Sequence, residues 1–278
     1  MRPAIDSRDY IVALELRSAA DCPPDFDLPA SLAGFDAGLF LPRDDPDWLG
    51  RSSCPPRILL LKDNVLHTVT HPSAGEPPCC CAMERISSVE SGHMLLKGWL
   101  RFTGDGFDCT LRYNTRGFPS VFRFMRLLRD KLLRRALCGT PEVDFGAAPD
   151  IKFANALAHE LDSEETIALR FFQPAREVNS PRWFDPRRRR VAGDLLALTG
   201  RRLLWITDRD RASYSRYGTI VSYAPPGAVQ TVELASVRDG RALRVNLNAG
   251  PPWLVPIRTD FEPVAEDFAA RLAAILRT

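Results

Sequence analysis

Two stretches of the chain carry the same pattern of apolar and polar positions. ILLLKDNVLHTVTH covers residues 58–71, and LLALTGRRLLWITD covers residues 195–208. Each is a short apolar run, a turn, and a second run that ends in Thr and a polar residue, a pattern that predicts a β-hairpin. The two align without gaps at an offset of 137 residues, so that Leu59, Leu61, Leu66 and Thr70 match Leu196, Leu198, Leu203 and Thr207. ISSVE at 86–90 aligns with VQTVE at 229–233, an offset of 143, and VFRFMRLLRDKLL at 121–133 aligns with VAEDFAARLAAIL at 264–276. Three matches in one order, with the offset drifting by only a few residues, predict a structural duplication.

Each copy reads as a series of strands closed by one helix. In the second copy ETIALRFF (165–172) is a first strand, and DLLALTG and RLLWITD make a hairpin around Gly200, where glycine is expected to supply a positive φ. TIVSYA (219–224), VQTVELASV (229–237), ALRVNLN (242–248) and WLVPI (253–257) supply further strands. The final segment places Val264, Phe268, Leu272 and Ile275 on one face at helical spacing, with its acids early and Arg277 late, as the helix dipole prefers. The first copy repeats this order in AGLFLP (37–42), RILLL, VLHTVTH, CCCAMER, ISSVE, HMLLKGWLRF and DCTLRYNT, with a tight turn at GDG (104–106). Pro119 opens its closing helix, where a missing N–H costs nothing. Residues 9–17 read as a short helix or strand.

At 278 residues the chain suits about two domains, and its 45% apolar and 26% charged content is that of an ordinary globular protein. The boundaries expected are an acidic, irregular segment at 1–30, a first domain at 31–138, a linker at 139–150 within the aperiodic CGTPEVDFGAAPD, and a second domain at 151–278. A net charge of +2 argues against a dedicated nucleic-acid binder. No apolar run approaches the ~18–20 residues of a membrane helix, and the N-terminus lacks a signal-peptide core, so the location expected is cytoplasmic. Seven cysteines, three of them consecutive at 79–81, read as reduced thiols. Residues 1–50 hold four basic and ten acidic residues and 51–138 fourteen basic and seven acidic, so the acidic segment has a basic face to fold against.

Six or seven antiparallel strands plus a C-terminal helix, in a copy of this length, resemble the pleckstrin-homology (PH) superfold. LLALTGRRLLWITD resembles the second and third strands of bacterial PH-like and GRAM-type domains through Leu198, Thr199, Arg202, Leu203 and Trp205, and ANALAHELDSEETIALRF (154–171) resembles the helix and strand that lead into them. The first copy departs from that motif, with Lys62, Val65, Leu66 and Thr68 at the matching positions, and its assignment rests on the duplication. The resemblance implies a mainly β, α+β fold of two PH-like antiparallel β-barrels, each closed by a C-terminal helix. It leaves function open, because this superfold serves lipid, phosphopeptide and protein ligands alike.

No phosphate-binding loop, nucleophile elbow, zinc-protease or dinucleotide motif is present. Neither a cofactor nor a metal is expected. His67 and His71, four apart on a strand, lie about 13 Å from each other and read as structural. The sharpest candidate is RWFDPRRRR: Arg182, Trp183, Arg187, Arg188, Arg189 and Arg190 sit between the first and second strands of the second copy, where the resemblance implies phosphate-binding residues. Guanidinium groups suit phosphate through paired charged hydrogen bonds. The alternatives at that loop are a solvated sheet edge and an acidic protein partner. The first copy's helix, with Arg123, Arg126, Arg129, Lys131, Arg134 and Arg135 among apolar residues, reads as barrel closure with a solvated basic face. The function expected is non-catalytic binding or scaffolding through an unidentified protein partner. The alternatives are a peripheral binder of anionic lipid or phosphate at the inner membrane face, and an enzyme of unrecognised type.

Overall fold

The computed structural model describes residues 12–43, 54–94, 97–133, 143–178, 189–208, 218–238 and 240–277. The fold is mainly β with three helices. It separates into two compact units, Met1–Ile86 with His93–Arg134, and Ser87–Gly92 with Arg135–Thr278.

In the first unit β1 (Leu14–Leu16), β2 (Ala37–Leu41), β3 (Arg57–Lys62), β4 (Val65–Thr70) and β5 (Cys79–Ala82) form one antiparallel sheet in that order. The strand order then runs β6 (Ile86–Met94), β7 (Lys97–Gly104) and β8 (Phe107–Asn114), with β6 divided between the two units, and α1 (Phe118–Leu132) follows. The β7–β8 turn is Asp105–Gly106, and Gly106 has φ 67°, a left-handed conformation that glycine adopts without steric cost.

The continuous apolar run of β3 is explained by burial on both faces. Ile58 and Leu60 face Leu16, Phe40 and Val69, under a lid made by Phe26, Leu32 and Phe35. Leu59 and Leu61 point the other way and are equally buried. Each such side chain contributes about 1.5–3 kcal/mol by leaving water. The acidic N-terminal segment is therefore part of the first unit, covering one face of its sheet.

The second unit begins with β9 (Val143–Gly146), α2 (Ile151–Glu160), β10 (Ile167–Gln173), β11 (Arg176–Val178), β12 (Arg189–Val191), β13 (Asp194–Thr199), β14 (Leu203–Thr207) and β15 (Thr219–Ala224). Five of these strands lie in the order β15–β14–β13–β10–β9, and β11 and β12 make a separate two-stranded ribbon. β16 (Val229–Val237), β17 (Gly240–Leu247) and β18 (Trp253–Ile257) form an antiparallel meander, and α3 (Glu262–Leu276) ends the unit. Phe268 and Leu272 of α3 join Leu169, Phe171, Leu196, Leu198, Leu243, Val245 and Val255 in one core, so the helix seals the space between the two sheets.

The two units use one plan. Four antiparallel strands, β2–β3–β4–β5 or β10–β13–β14–β15, are followed along the chain by three more, of which β6 lies mostly in the second unit, and by a helix of 15 residues. β3 and β13 both have six residues, β6 and β16 nine, and β7 and β17 eight. The hairpin register is conserved as well: Leu61 faces Leu66, as Leu198, 137 residues on, faces Leu203. Among the described strands the sheets are open and none closes into a barrel.

Three local expectations can be compared with the fold. Residues 9–17, expected as a short helix or strand, contain the strand β1. The segment 138–150, expected as linker, contains β9, which pairs in parallel with β10. The tight turn with positive φ falls at Asp63 (49°) and Asn64 (61°), whereas Gly200 does not adopt that conformation.

Candidate functional site

The hairpin β13–β14 places the residues of its sequence motif in structural roles. Thr199 Oγ1 accepts from the amides of Arg201 (3.2 Å) and Arg202 (3.1 Å) and donates to Glu165 Oε1 (2.5 Å). That side chain shapes the turn, which is why Gly200 needs no positive φ. Arg202 donates through Nε to Glu165 Oε1 (3.0 Å) and through Nη2 to Glu165 Oε2 (2.6 Å) and to the Glu160 carbonyl (2.5 Å). Both side chains are 1% exposed, and the guanidinium carbon lies 5.6 Å from the Tyr223 ring centre. The pair ties the end of α2 to the hairpin.

At the other end of the hairpin Asp194, wholly buried, accepts from Trp205 Nε1 (3.0 Å) and Gln173 Nε2 (3.1 Å). The Trp205 ring lies 6.0 Å from that of Trp253. Asp208 accepts from the Gly193 amide (2.8 Å) and pairs with Lys152 (3.3 Å). These groups satisfy one another, as buried polar groups must.

Of the arginine-rich candidates, Arg182, Trp183, Arg187 and Arg188 lie outside the described residues. Arg189 and Arg190 belong to β12, opposite Val178 and Glu177 of β11. Both strands lie between β10 and β13 in the chain.

In the first unit α1 is only partly the solvated basic face expected. Arg129 is 4% exposed, with its guanidinium carbon 5.6 Å from the Phe122 ring centre. Position 129 falls one turn after Met125 and next to Leu128, and all three are among the buried residues of the helix. Arg123 pairs with Glu15 (3.2 Å) and Lys131 with Asp36 (2.5 Å), which joins the acidic N-terminal segment to the basic helix. Arg134 and Arg135 lie outside the described residues.

His71 bonds Asp25 (3.2 Å) and Ser73 (2.8 Å) and stacks edge-on against Phe26. Burial, then the charge of Lys62, holds the His67 imidazole below its ordinary pKa. Asn114 accepts from the Arg116 amide (3.0 Å), which forms a turn at YNTR between β8 and α1. Cys79 and Cys80 are exposed and Cys81 is buried. Among the described residues no three His, Cys, Asp or Glu side chains converge on a metal position, and no helix is long and apolar enough to cross a membrane.

Sequence reasoning missed a pocket of about 430 Å³ in the first unit. Arg57, Thr68 and Thr70 of the β3–β4 hairpin line it, with Glu76, Pro77, Cys79 and residues 106–110 around the start of β8. Arg57 reaches Glu76 Oε2 through Nη2 (2.9 Å) and the Thr110 carbonyl through Nη1 (3.2 Å), and Thr70 Oγ1 also donates to Glu76 (3.2 Å). Arg57 Nε and Thr68 Oγ1 are buried, the first with no hydrogen-bond partner among the described residues and the second beside the weakly bonding Cys109 thiol. Burial, chiefly, pushes the Cys109 thiol up to about 11, so it is neutral at pH 7. A bidentate bond from Arg101 (2.9 and 2.6 Å) holds the Asp108 carboxyl below the usual range. The lining spans more than fifty positions of the chain and carries no local motif that could have announced it.

Comparison with protein-family models, with curated proteins and with solved structures gives no match. What fold and site define is a class: a mainly β, α+β protein made of two units with the same strand plan, whose motif residues in the second unit hold the scaffold together.

Proposed function

We propose that the chain is a non-catalytic binding or scaffolding protein of the cytoplasm, built of two PH-like units at about 31–138 and 151–278, and that it acts through protein contacts. The observation that carries this reading is the shared plan: a four-stranded and a three-stranded antiparallel run followed by a C-terminal helix, with α3 sealing the gap between the sheets of the second unit. That arrangement supports a PH-like fold, whose common use is to present a surface to a ligand. The role of Thr199, Arg202, Glu165, Asp194 and Trp205 in holding the second unit supports it too, since these groups serve the scaffold. Affinity capture with the full chain tests the proposal. A protein should co-purify stoichiometrically and remain when Arg187–Arg190 are all changed to Ser. Reproducible capture of nothing above background sinks it.

A second reading has one observation in its favour. Arg189 and Arg190 lie in the β11–β12 ribbon, which is separate from the larger sheets. Under this reading Arg182, Trp183 and Arg187–Arg190 bind anionic lipid or phosphate headgroups. Co-sedimentation with anionic but not neutral vesicles, lost in the four-Ser variant and weakened by salt, supports it, since exposed charges are screened over about 8 Å at physiological ionic strength. Equal sedimentation of wild type and variant refutes it.

A further inference from the structure

The duplication supplies an internal control for the pocket of the first unit. At the shared offset of 137, Asp194 and Trp205 of the second hairpin correspond to Arg57 and Thr68 of the first. In the second unit this corner is filled by an indole that donates its N–H to the buried Asp194 carboxylate. In the first unit the indole is replaced by a small hydroxyl side chain and the acceptor by a donor, and a pocket of about 430 Å³ lies beside them. Its size is that of small-molecule sites.

The polar inventory says what would satisfy it. Arg57 Nε and the hydroxyl of Thr68, a residue 3% exposed, are both buried, and the hydroxyl has only the weakly bonding Cys109 thiol beside it. Leaving such groups poorly matched costs about 1–3 kcal/mol each, so an acceptor that reaches them is stabilised. Charge is already balanced, since Arg57 is paired with Glu76 and Asp108 with Arg101. The thiol of Cys109 adds none at neutral pH. A second carboxylate would meet Glu76 at the same guanidinium. Pro77 and Phe107 add apolar wall.

We propose that this pocket binds a small, planar, uncharged molecule that presents a carbonyl oxygen to Arg57 Nε and Thr68 Oγ1, occupying the corner that Trp205 fills in the second unit. The site goes beyond the protein-binding role proposed above and does not depend on it.

The test uses the full chain, uracil as the uncharged planar carbonyl probe and benzoate as its charged counterpart. The readout is the Arg57 Nε–H signal in a proton–nitrogen correlation spectrum, assigned by its disappearance in Arg57→Lys. Uracil is expected to shift this signal saturably. Thr68→Val, which keeps the shape and removes the hydroxyl, should weaken that binding about five- to tenfold, as loss of one hydrogen bond does. Thr68→Trp should abolish it, and benzoate should bind more weakly than uracil. The proposal is overturned if uracil gives no saturable shift in a chain whose β4 amides remain native, if benzoate binds as tightly, or if folded Thr68→Val binds uracil like the wild type.

Discussion

The hairpins β3–β4 and β13–β14 share length, register and buried leucines, yet they are stabilised by different means. The first closes its two-residue turn through the backbone, with Asp63 and Asn64 both in the left-handed region. Asn and Asp tolerate that conformation better than other residues with a side chain, and it suits the twist of paired strands. The second closes Gly200–Arg201 through the Thr199 hydroxyl and anchors it with the buried Arg202–Glu165 pair. Lys62 and Val65 stand at the positions of Thr199 and Arg202; Lys62 Nζ donates to the Ser31 carbonyl (2.5 Å), and no buried ion pair holds this turn among the described residues. One backbone register thus accepts either a local solution or a long-range one. The long-range solution connects the turn to α2 and makes it depend on residues far away in sequence.

The comparison breaks most sharply at the ion pair. Glu165→Gln leaves Arg202 buried without its counter-charge and should destabilise the second unit by about 3–5 kcal/mol, whereas Val65→Ala in the first hairpin should cost about 1 kcal/mol or less. Amide hydrogen exchange resolved by hairpin separates the two effects, which a single global transition in a two-unit chain would not. Equal loss of protection in both hairpins would show that the pair is not local to the second.

Thr199→Val removes the hydroxyl that holds the turn and should cost about 1–3 kcal/mol, read as faster exchange of the Arg201 and Arg202 amides. Asn64→Val tests the backbone solution. A β-branched residue in the left-handed region should cost about 1–2 kcal/mol, while Asn64→Gly should be nearly neutral, as denaturant midpoints of the first unit would report.

The smallest effect is a pH dependence carried by one hairpin. His67 stands where the second hairpin has Leu204. Its pKa is depressed in the fold, mainly by burial, so the folded state prefers the neutral ring. The stability this contributes is present above the ordinary value of 6.5 and is lost as pH falls through the folded value. Protection of the first hairpin should therefore decline on acidification below about pH 6.5 relative to the second. His67→Leu should remove that part of the decline, and an unchanged profile would assign it to other groups.

Local order was legible in the sequence because it depends on neighbours a few residues apart. Short apolar runs bounded by turn residues marked the strands, the spacing of Val264, Phe268, Leu272 and Ile275 marked α3, and GDG marked a turn that Gly106 makes. The duplication was legible for the same reason, since matched leucines at a constant offset encode matched registers. Decisions that depend on distant partners were not. Thr199 and Arg202 read as a motif, but Glu165, which gives them their role, is 37 residues away from Arg202. Arg129 read as one more charge on a basic helix, and only packing against the unit put it on the buried side. The pocket beside Arg57 is the clearest case. Its lining comes from two strands of a hairpin, a loop and the start of β8, and its existence follows from what Thr68 fails to fill. Periodicity settles which face a side chain takes, whereas the volume left between faces is settled by every residue that packs there, which only the tertiary structure decides.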